Sequence, residues 1–233
     1  MAATMEMLCD FDGTVAPRDT VDLLLERLAD PAWRMLEERW VRGEIDSQEC
    51  MGGQIPLIRG GWPAIERILA EVRLDPTFAP FVDWCRREGI RLRIVSGGID
   101  RVIRHLLARD GIRVDEIWAA KLRARDDGRL RLTFPSPPRG SRCGTGFCKC
   151  ALFGQSAPQP VRILIGDGRS DFCCAHRADL VFARAALLSY CRRHALPVRS
   201  FGDFMDLRRS VERWLRVPRE PAGAVAAPSV AEA

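Results

Sequence analysis

Two pairs of aspartates lie just beyond apolar segments of this 233-residue chain. Asp10 and Asp12 end the apolar segment that begins at Met5, and Asp167 and Asp171 follow a second apolar segment. Residues i and i+2 of an extended segment point the same way, so Asp10 and Asp12 can face one pocket. Packed carboxylates repel one another unless a cation lies between them, and oxygen ligands favour a hard ion such as Mg²⁺. The two pairs therefore predict a magnesium site if the fold brings them together.

A serine, a glycine and a lysine supply the polar groups that a phosphate needs. Ser96 and Gly97 follow the apolar segment 90–95, at a predicted junction between a strand and a helix. A hydroxyl, an amide and a helix N-terminus at such a junction favour an anion. Lys149 is one of only two lysines among 36 basic residues, and it precedes the segment that leads to Asp167. Its ammonium is therefore predicted to neutralise the same phosphate.

Hydrophobic periodicity predicts the elements that must position these residues. Apolar residues repeat at i, i+3, i+4 and i+7 from Val21 to Leu28 and from Ile65 to Val72, which indicates amphipathic helices, and no strand pattern interrupts them. From residue 78 onward, predicted helices alternate with strands, as in an α/β domain. The predicted strands are 5–10, 90–95, 161–165 and 180–183, with a hairpin at 122–134, and the predicted helices lie near 78–85, 99–106, 185–194 and 203–215.

This pattern predicts an α/β core with a parallel sheet and a helical insertion. We assign residues 1–15 and 76–217 to the core, 16–75 to an all-helical cap inserted after the first strand, and 218–233 to a disordered tail. Sites in open α/β sheets form outside the carboxyl ends of the strands. The aspartate pairs and Ser96 are therefore expected to converge, although most of the chain separates them.

Composition argues against several classes of protein. The 36 basic and 31 acidic residues are interleaved and give a net charge of +5, which does not favour nucleic-acid binding. No apolar run reaches the ~18 residues of a membrane span, and the start lacks the pattern of a signal peptide, so a cytoplasmic protein with no membrane partner is expected. Nine cysteines, an odd number without an export signal, predict reduced thiols. Metal binding by the widely spaced Cys143, Cys148 and Cys150 stays open, as does the oligomeric state.

Four motifs follow one another along the chain: Asp-Phe-Asp-Gly-Thr-Val at 10–15, Ser-Gly-Gly at 96–98, Lys149, and Gly-Asp-Gly-Arg-Ser-Asp at 166–171. In order and spacing they resemble the motifs of haloacid-dehalogenase-superfamily phosphatases, over roughly residues 5–214. The resemblance implies a Rossmann-like core. A helical insertion between the first two motifs is where phosphoserine-phosphatase-like members, subfamily IB, carry a small cap.

The resemblance also implies a role for each motif residue. Asp10 would be the nucleophile that forms an aspartyl-phosphate, and Asp12 would protonate the leaving group and then activate the hydrolytic water. Mg²⁺ would be bound by the carboxylates of Asp10 and Asp167 and the backbone carbonyl of Asp12, with Asp171 behind them or bound through water. The residues implied to hold the transferring phosphoryl group are Ser96, Gly97 and Lys149.

Three further features resemble one branch of that subfamily more closely. Asp19, the cysteine-rich loop before Lys149 and the segment 190–204 are similar to the methionine-salvage phosphatases that act on 2-hydroxy-3-keto-5-methylthiopentenyl-1-phosphate. Phosphoserine phosphatases carry a glutamate where Asp19 stands, although Asp19 is equally suited to cap a helix beginning at Thr20. Phe-Cys-Lys-Cys at 147–150 departs from the Cys-Cys-Lys-Pro expected of the branch.

The predicted activity is therefore a Mg²⁺-dependent phosphomonoester hydrolase acting on a small phosphorylated metabolite. A phosphoserine phosphatase, a phosphocholine or phosphoethanolamine phosphatase, a phosphotransferase and a non-catalytic phosphate-binding module stay open as alternatives. Specificity is expected in the cap, where the candidate substrate contacts beside Asp19, chosen by residue type alone, are Arg18, Met35, Met51, Arg59 and Trp62.

Overall fold

A computed structural model of the chain describes residues 5–124, 128–135, 149–153 and 160–215. Within these ranges a seven-stranded sheet has the order β4-β3-β2-β1-β5-β6-β7. Neighbouring strands are parallel except for β3 and β4, which are antiparallel. The strands are β1 (Met5–Cys9), β2 (Arg91–Ile99), β3 (Glu116–Ala124), β4 (Leu130–Thr133), β5 (Val161–Gly166), β6 (Leu180–Ala183) and β7 (Val198–Ser200).

Helices precede and follow the strands, so the α/β class predicted from periodicity is confirmed. Four helices directly follow β1 in the chain; they are α1 (Thr20–Leu28), α2 (Trp33–Val41), α3 (Ser47–Gln54) and α4 (Gly61–Leu69). The other described helices are α5 (Phe78–Arg87), α6 (Asp100–Arg109), α7 (Phe172–Ala175), α8 (Ala185–Arg193) and α9 (Phe204–Leu215). Within the described ranges, no helix is both long and apolar enough to cross a bilayer.

β1 lies at the centre of the sheet and positions the first aspartates. All five of its residues are buried, because β2 and β5 flank it and helices cover both faces. Its parallel pairing sets Cys9 beside Ile94 of β2 and Ile165 of β5. The carboxyl ends of the three strands therefore meet at one edge of the sheet, where Asp10, Ser96 and Asp167 follow or end them.

Apolar packing and a capping residue fix the position of α1. Its apolar stripe, which includes Val21, Leu24 and Leu25, is buried in the same core as β1 and packs toward α4. Asp19 caps the helix, since its carboxylate accepts hydrogen bonds from the backbone amides of Val21 (2.8 Å) and Asp22 (3.0 Å). The start of α1 is thereby placed directly beside the end of β1.

Several element boundaries differ from the sequence prediction. β2 continues past Val95 to Ile99 with a shift in its register to β3, so Ser96 lies in an irregular strand end rather than in the following turn. β3 begins at Glu116, ahead of the predicted hairpin, because its first half pairs with β2 and its second half with β4. The short elements α7 and β7 were not predicted, since neither has enough residues to show a hydrophobic period.

Some sequence predictions lie outside the described residues. They are the tail 218–233, the loop residues 136–146, and two of the three clustered cysteines, Cys143 and Cys148. Cys150 is described and buried, in the short 3₁₀ turn Lys149–Leu152.

Candidate active site

Asp10 stands at the carboxyl end of the central strand. Its backbone amide donates to the carbonyl of Ile165 (2.8 Å), which extends the pairing of β1 with β5 by one residue. Its side chain is 8 % exposed, and Oδ1 accepts from the backbone amide of Phe11 (2.8 Å) and pairs with Lys149 Nζ (3.0 Å). The carboxylate is therefore held in one orientation by the end of the sheet.

Three carboxylates meet at this point. Oxygens of Asp10, Asp167 and Asp171 lie within 4.8 Å of one another, and the Thr14 hydroxyl donates to Asp167 Oδ1 (3.3 Å). Burial, and then the charge of Asp171, raises the pKa of Asp167, and burial likewise raises the pKa of Asp10 well above its usual range. A cation among these oxygens would remove that penalty, and an all-oxygen donor set fits Mg²⁺.

Asp171 lies closer to the site than the resemblance alone implied. It is fully buried, with Oδ1 on Lys149 Nζ (2.7 Å) and Oδ2 accepting from the backbone amide of Gly168 (3.4 Å). The 3₁₀ turn Arg169–Asp171 bends the chain back after β5 and brings this carboxylate beside Asp10. Asp171 is therefore placed to orient Lys149 as well as to face a bound cation.

Lys149 is the buried cation of the site. Its side chain is 1 % exposed, and its ammonium bridges Asp10 and Asp171. Burial lowers the pKa of a lysine, but here the two carboxylates outweigh burial and raise the pKa of Lys149, so the side chain stays charged. A fixed positive charge beside Asp10 is what a transferring phosphoryl group requires.

Asp12 points away from the three carboxylates. Its Oδ1 accepts from the backbone amide of Thr20 (2.8 Å) at the start of α1, and its Oδ2 lies 3.5 Å from the Ser96 hydroxyl. Burial, and then the charge of Asp19, raises the pKa of Asp12 to about 7. A carboxyl group that titrates near neutrality can both give and take a proton, as a general acid and base must.

Two glycines allow these carboxylates to sit where they do. Gly13 has φ +74°, and a Cβ there would collide with the carboxylate of Asp167. A Cβ at Gly98 would lie 2.6 Å from Asp12 Oδ2. The glycines of the first and second motifs therefore provide space for the acids as well as conformational freedom.

Ser96 and Gly97 line a cavity that also includes Asp10 and Asp12. The Ser96 side chain is buried, and its hydroxyl accepts from the backbone amide of Gly98 (3.0 Å) while it can donate to Asp12. Gly97 is exposed. The cavity has a volume of about 320 Å³. Its walls are formed on the core side by Asp10, Asp12, Ser96, Gly97, Gly98 and residues 167–170, and on the α1–α3 side by Asp19, Val21, Asp22, Glu37, Trp40, Ser47, Cys50, Met51 and Gln54.

Only two of the substrate contacts proposed from the sequence line this cavity. Asp19 and Met51 line the cavity, but Arg18, Met35, Arg59 and Trp62 do not. Exposed acids hold the two arginines, since Arg18 pairs with Glu26 (2.6 Å) and Arg59 with Asp30 (2.6 Å). Met35 is 62 % exposed, and Trp62 packs 3.8 Å from the guanidinium of Arg101 on α6.

The sequence did not identify Glu37, Gln54 and Trp40 as residues that line the cavity. Trp33 packs against the core, whereas Trp40 is 38 % exposed and lines the cavity. Glu37 shares a helical face with both tryptophans, at i+4 from Trp33. A charged residue inside an otherwise apolar stripe was the signal that could have found it.

Comparison with known proteins places the chain in a family. The sequence model of haloacid dehalogenase-like hydrolases matches residues 7–176. A protein of Brevibacillus brevis named 2-hydroxy-3-keto-5-methylthiopentenyl-1-phosphate phosphatase is 32% identical over 91% of this chain and 97% of its own length. A protein of Geobacillus thermodenitrificans with the same name is 31% identical over 91% of this chain and 98% of its own.

The fold has a matching solved structure. A phospho-aspartyl intermediate analogue of phosphoserine phosphatase superposes with a TM-score of 0.63 at 17% sequence identity, covering 91% of this chain and 99% of that one. The chain belongs to the haloacid dehalogenase-like hydrolases and is a phosphatase.

Proposed function

We propose that this phosphatase hydrolyses 2-hydroxy-3-keto-5-methylthiopentenyl-1-phosphate through an aspartyl-phosphate formed at Asp10. The observation that carries the reaction is the environment of Asp10, a buried carboxylate that faces one ammonium and two further carboxylates. The substrate is supported by the names of relatives that cover nearly the whole chain. Both relatives are named as phosphatases of that one phosphomonoester.

Two displacements at phosphorus account for the reaction. In the first, an Asp10 oxygen forms a bond to phosphorus as the bond to the leaving oxygen breaks, and Asp12 gives that oxygen its proton. In the second, Asp12 takes a proton from water, the water oxygen attacks phosphorus, and the Asp10–phosphorus bond breaks to release phosphate. Lys149, Ser96 and the Gly97 amide would hold the phosphoryl oxygens throughout.

A magnesium ion fits the donor set of this site. The carboxylates of Asp10 and Asp167 and the carbonyl of Asp12 would hold it, with Asp171 adjacent. When bound, Mg²⁺ supplies positive charge that neutralises the phosphate and the clustered acids. Lys149 then shares the charge of Asp10 and Asp171 with the ion.

We assign the substrate's carbon chain to the α1–α3 side of the cavity. That side carries the apolar side chains of Val21, Trp40 and Met51, which suit an alkyl thioether. Residues 16–75 would therefore act as a cap over the core formed by 1–15 and 76–217. The start of α1 connects the two parts, because the backbone amide of Thr20 donates to the carboxylate of Asp12.

Replacement of the two motif aspartates tests the mechanism. With 2-hydroxy-3-keto-5-methylthiopentenyl-1-phosphate and Mg²⁺, the wild type should release stoichiometric free phosphate, which a phosphotransferase would not. Asp10→Asn should release none, because an amide cannot serve as this nucleophile, and Asp12→Asn should lose nearly all turnover.

O-phosphoserine at the same concentration provides the substrate comparison. A faster reaction with O-phosphoserine would overturn the proposed substrate. Substantial turnover by Asp10→Asn would overturn the covalent mechanism whichever substrate is preferred.

A further inference from the structure

The wall of the cavity formed by α1–α3 is acidic. Asp19, Asp22 and Glu37 all line it, and Arg169, an exposed residue on the opposite side, is the one cation among the described lining residues. Burial, and then the charges of Asp19 and Glu37, raise the pKa of Asp22 to about 6. A leaving group in this cavity therefore meets negative charge.

Two residues of α3 hold the Glu37 side chain in place. The Gln54 side chain is 2 % exposed, and its amide nitrogen donates to Glu37 Oε2 (2.9 Å) and lies 3.5 Å from the Trp33 carbonyl. The Cys50 thiol approaches the same Oε2 at 3.8 Å. In the described part of the chain both contacts therefore use one oxygen of Glu37, which leaves Oε1 to accept a hydrogen bond from a molecule in the cavity.

Apolar side chains line the cavity together with Glu37. Val21, Trp40 and Met51 are among the lining residues. In a partly apolar cavity a carboxylate attracts a donor, and repels another carboxylate, more strongly than it does in bulk water.

We propose that Glu37 determines substrate specificity: its free oxygen accepts a hydrogen bond from a hydroxyl or ammonium of the leaving group, and its charge excludes leaving groups that carry a carboxylate. The inference rests on the proposed phosphatase reaction at Asp10 and deepens it by naming the substrate class. A hydroxylated, carboxylate-free leaving group belongs to that class, whereas the leaving group of O-phosphoserine does not.

Four small phosphomonoesters separate the two effects. Three of them share a two-carbon chain. The second carbon carries only hydrogen in ethyl phosphate, a hydroxyl in 2-hydroxyethyl phosphate and an ammonium in O-phosphoethanolamine. O-phosphoserine adds only a carboxylate to O-phosphoethanolamine. For the wild type we expect kcat/KM to rise about tenfold from ethyl phosphate to each donor-bearing ester, as one hydrogen bond to a charged group would give. It should fall at least tenfold from O-phosphoethanolamine to O-phosphoserine.

Glu37→Gln keeps the shape of the side chain and removes its charge. In this variant the kcat/KM ratio of O-phosphoethanolamine to O-phosphoserine should fall by about tenfold. Glu38→Gln is the matched control, since Glu38 is the next residue of α2 and its side chain is 69% exposed. That control should keep the wild-type ratio.

A kcat/KM ratio that is unchanged in Glu37→Gln, or changed equally in Glu38→Gln, would overturn the specificity role.

Gln54→Met is a second variant. It removes the hydrogen bond that orients Glu37 without changing the charge of the cavity. It should therefore lower the preference for the donor-bearing esters over ethyl phosphate. Hydrolysis of p-nitrophenyl phosphate tests the reaction at Asp10 separately: the wild type should hydrolyse it and Asp10→Asn should not. If the wild type does not hydrolyse it, the phosphatase reaction at Asp10 is refuted rather than the role of Glu37.

Discussion

Lys149 and Lys121 have the same chemistry but opposite surroundings. Lys149 is buried between Asp10 and Asp171, whereas Lys121 is an exposed residue of β3 that pairs across the sheet with Thr133. They are the two lysines of the chain. The pair therefore isolates the effect of position at the scale of a single residue.

We expect Lys149→Ala to lower kcat by 10²–10³. Losing a fixed charge contact to the transition state typically costs ~3–4 kcal/mol. Lys149→Arg should recover little of the rate, because a planar guanidinium does not replace a compact ammonium between two carboxylates. Steady-state kinetics with a saturating phosphomonoester measures both variants.

Lys121→Ala is the control for this comparison, and its kcat should stay near that of the wild type. If Lys121→Ala loses the activity and Lys149→Ala keeps it, Lys149 does not contact the transferring phosphoryl group.

At the scale of elements, a buried ion pair connects the sheet to the turn that carries Lys149. Arg93 of β2 pairs with Glu6 of β1 (2.8 Å), and both side chains are 5% exposed. The same guanidinium nitrogen donates to the carbonyl of Leu152 (2.5 Å) in the 3₁₀ turn Lys149–Leu152. The central strands thereby fix the position of the turn that carries Lys149.

Arg93→Met should destabilise the protein by about 3–5 kcal/mol, because it removes one member of a buried ion pair. Glu6→Leu combined with Arg93→Met should cost less than the sum of the two single changes, since both charges of the pair are then removed together. Denaturant unfolding measures both. Arg91→Met is the control, because Arg91 is 59% exposed on the same strand, and its effect should stay within about 0.5 kcal/mol.

The kcat of Arg93→Met, measured where the variant is fully folded, should also fall. A variant that is less stable but has wild-type kcat would show that the ion pair does not position Lys149.

At the scale of the whole molecule, the three clustered carboxylates carry more negative charge than the Lys149 ammonium offsets. Asp10, Asp167 and Asp171 come from two different parts of the chain and meet only in the folded state. A metal ion bound by them therefore binds the folded chain in preference to the unfolded chain. Binding should appear as global stabilisation.

Mg²⁺ at about 100 times its dissociation constant should add ~2.7 kcal/mol of stability, or a rise in Tm of about 5–10 °C for a protein of this size. Thermal denaturation with and without a chelator measures the rise. Asp167→Asn should abolish it, whereas Asp83→Asn, a change at an exposed side chain of α5, should leave it intact. Ca²⁺ should support little activity, because its longer bonds and larger ligand number disturb in-line geometry.

A Tm that does not respond to Mg²⁺, together with activity in excess chelator, would contradict the metal site. A rise in Tm that survives in Asp167→Asn would place the ion elsewhere.

Local patterns determined much of this molecule. The bounds of β6 and the apolar stripe of α1 follow from hydrophobic period and from a capping aspartate, which act within a few residues of each other. The order of the four motifs indicated the family, and parallel strands explain why aspartates far apart in sequence lie at one edge. These features could be predicted because each depends on neighbours in sequence or on a general rule of α/β sheets.

Only the tertiary structure decided the rest. β7 and the extension of β2 are strands because a neighbouring strand supplies hydrogen-bond partners. Their hydrophobic periodicity alone does not predict them. Asp171 joins Asp10 because of the turn after β5, and Glu37 faces the cavity because Gln54 of α3 holds it there. Such positions depend on contacts between distant segments, and the free energy of those contacts is decided by packing and burial rather than by residue type.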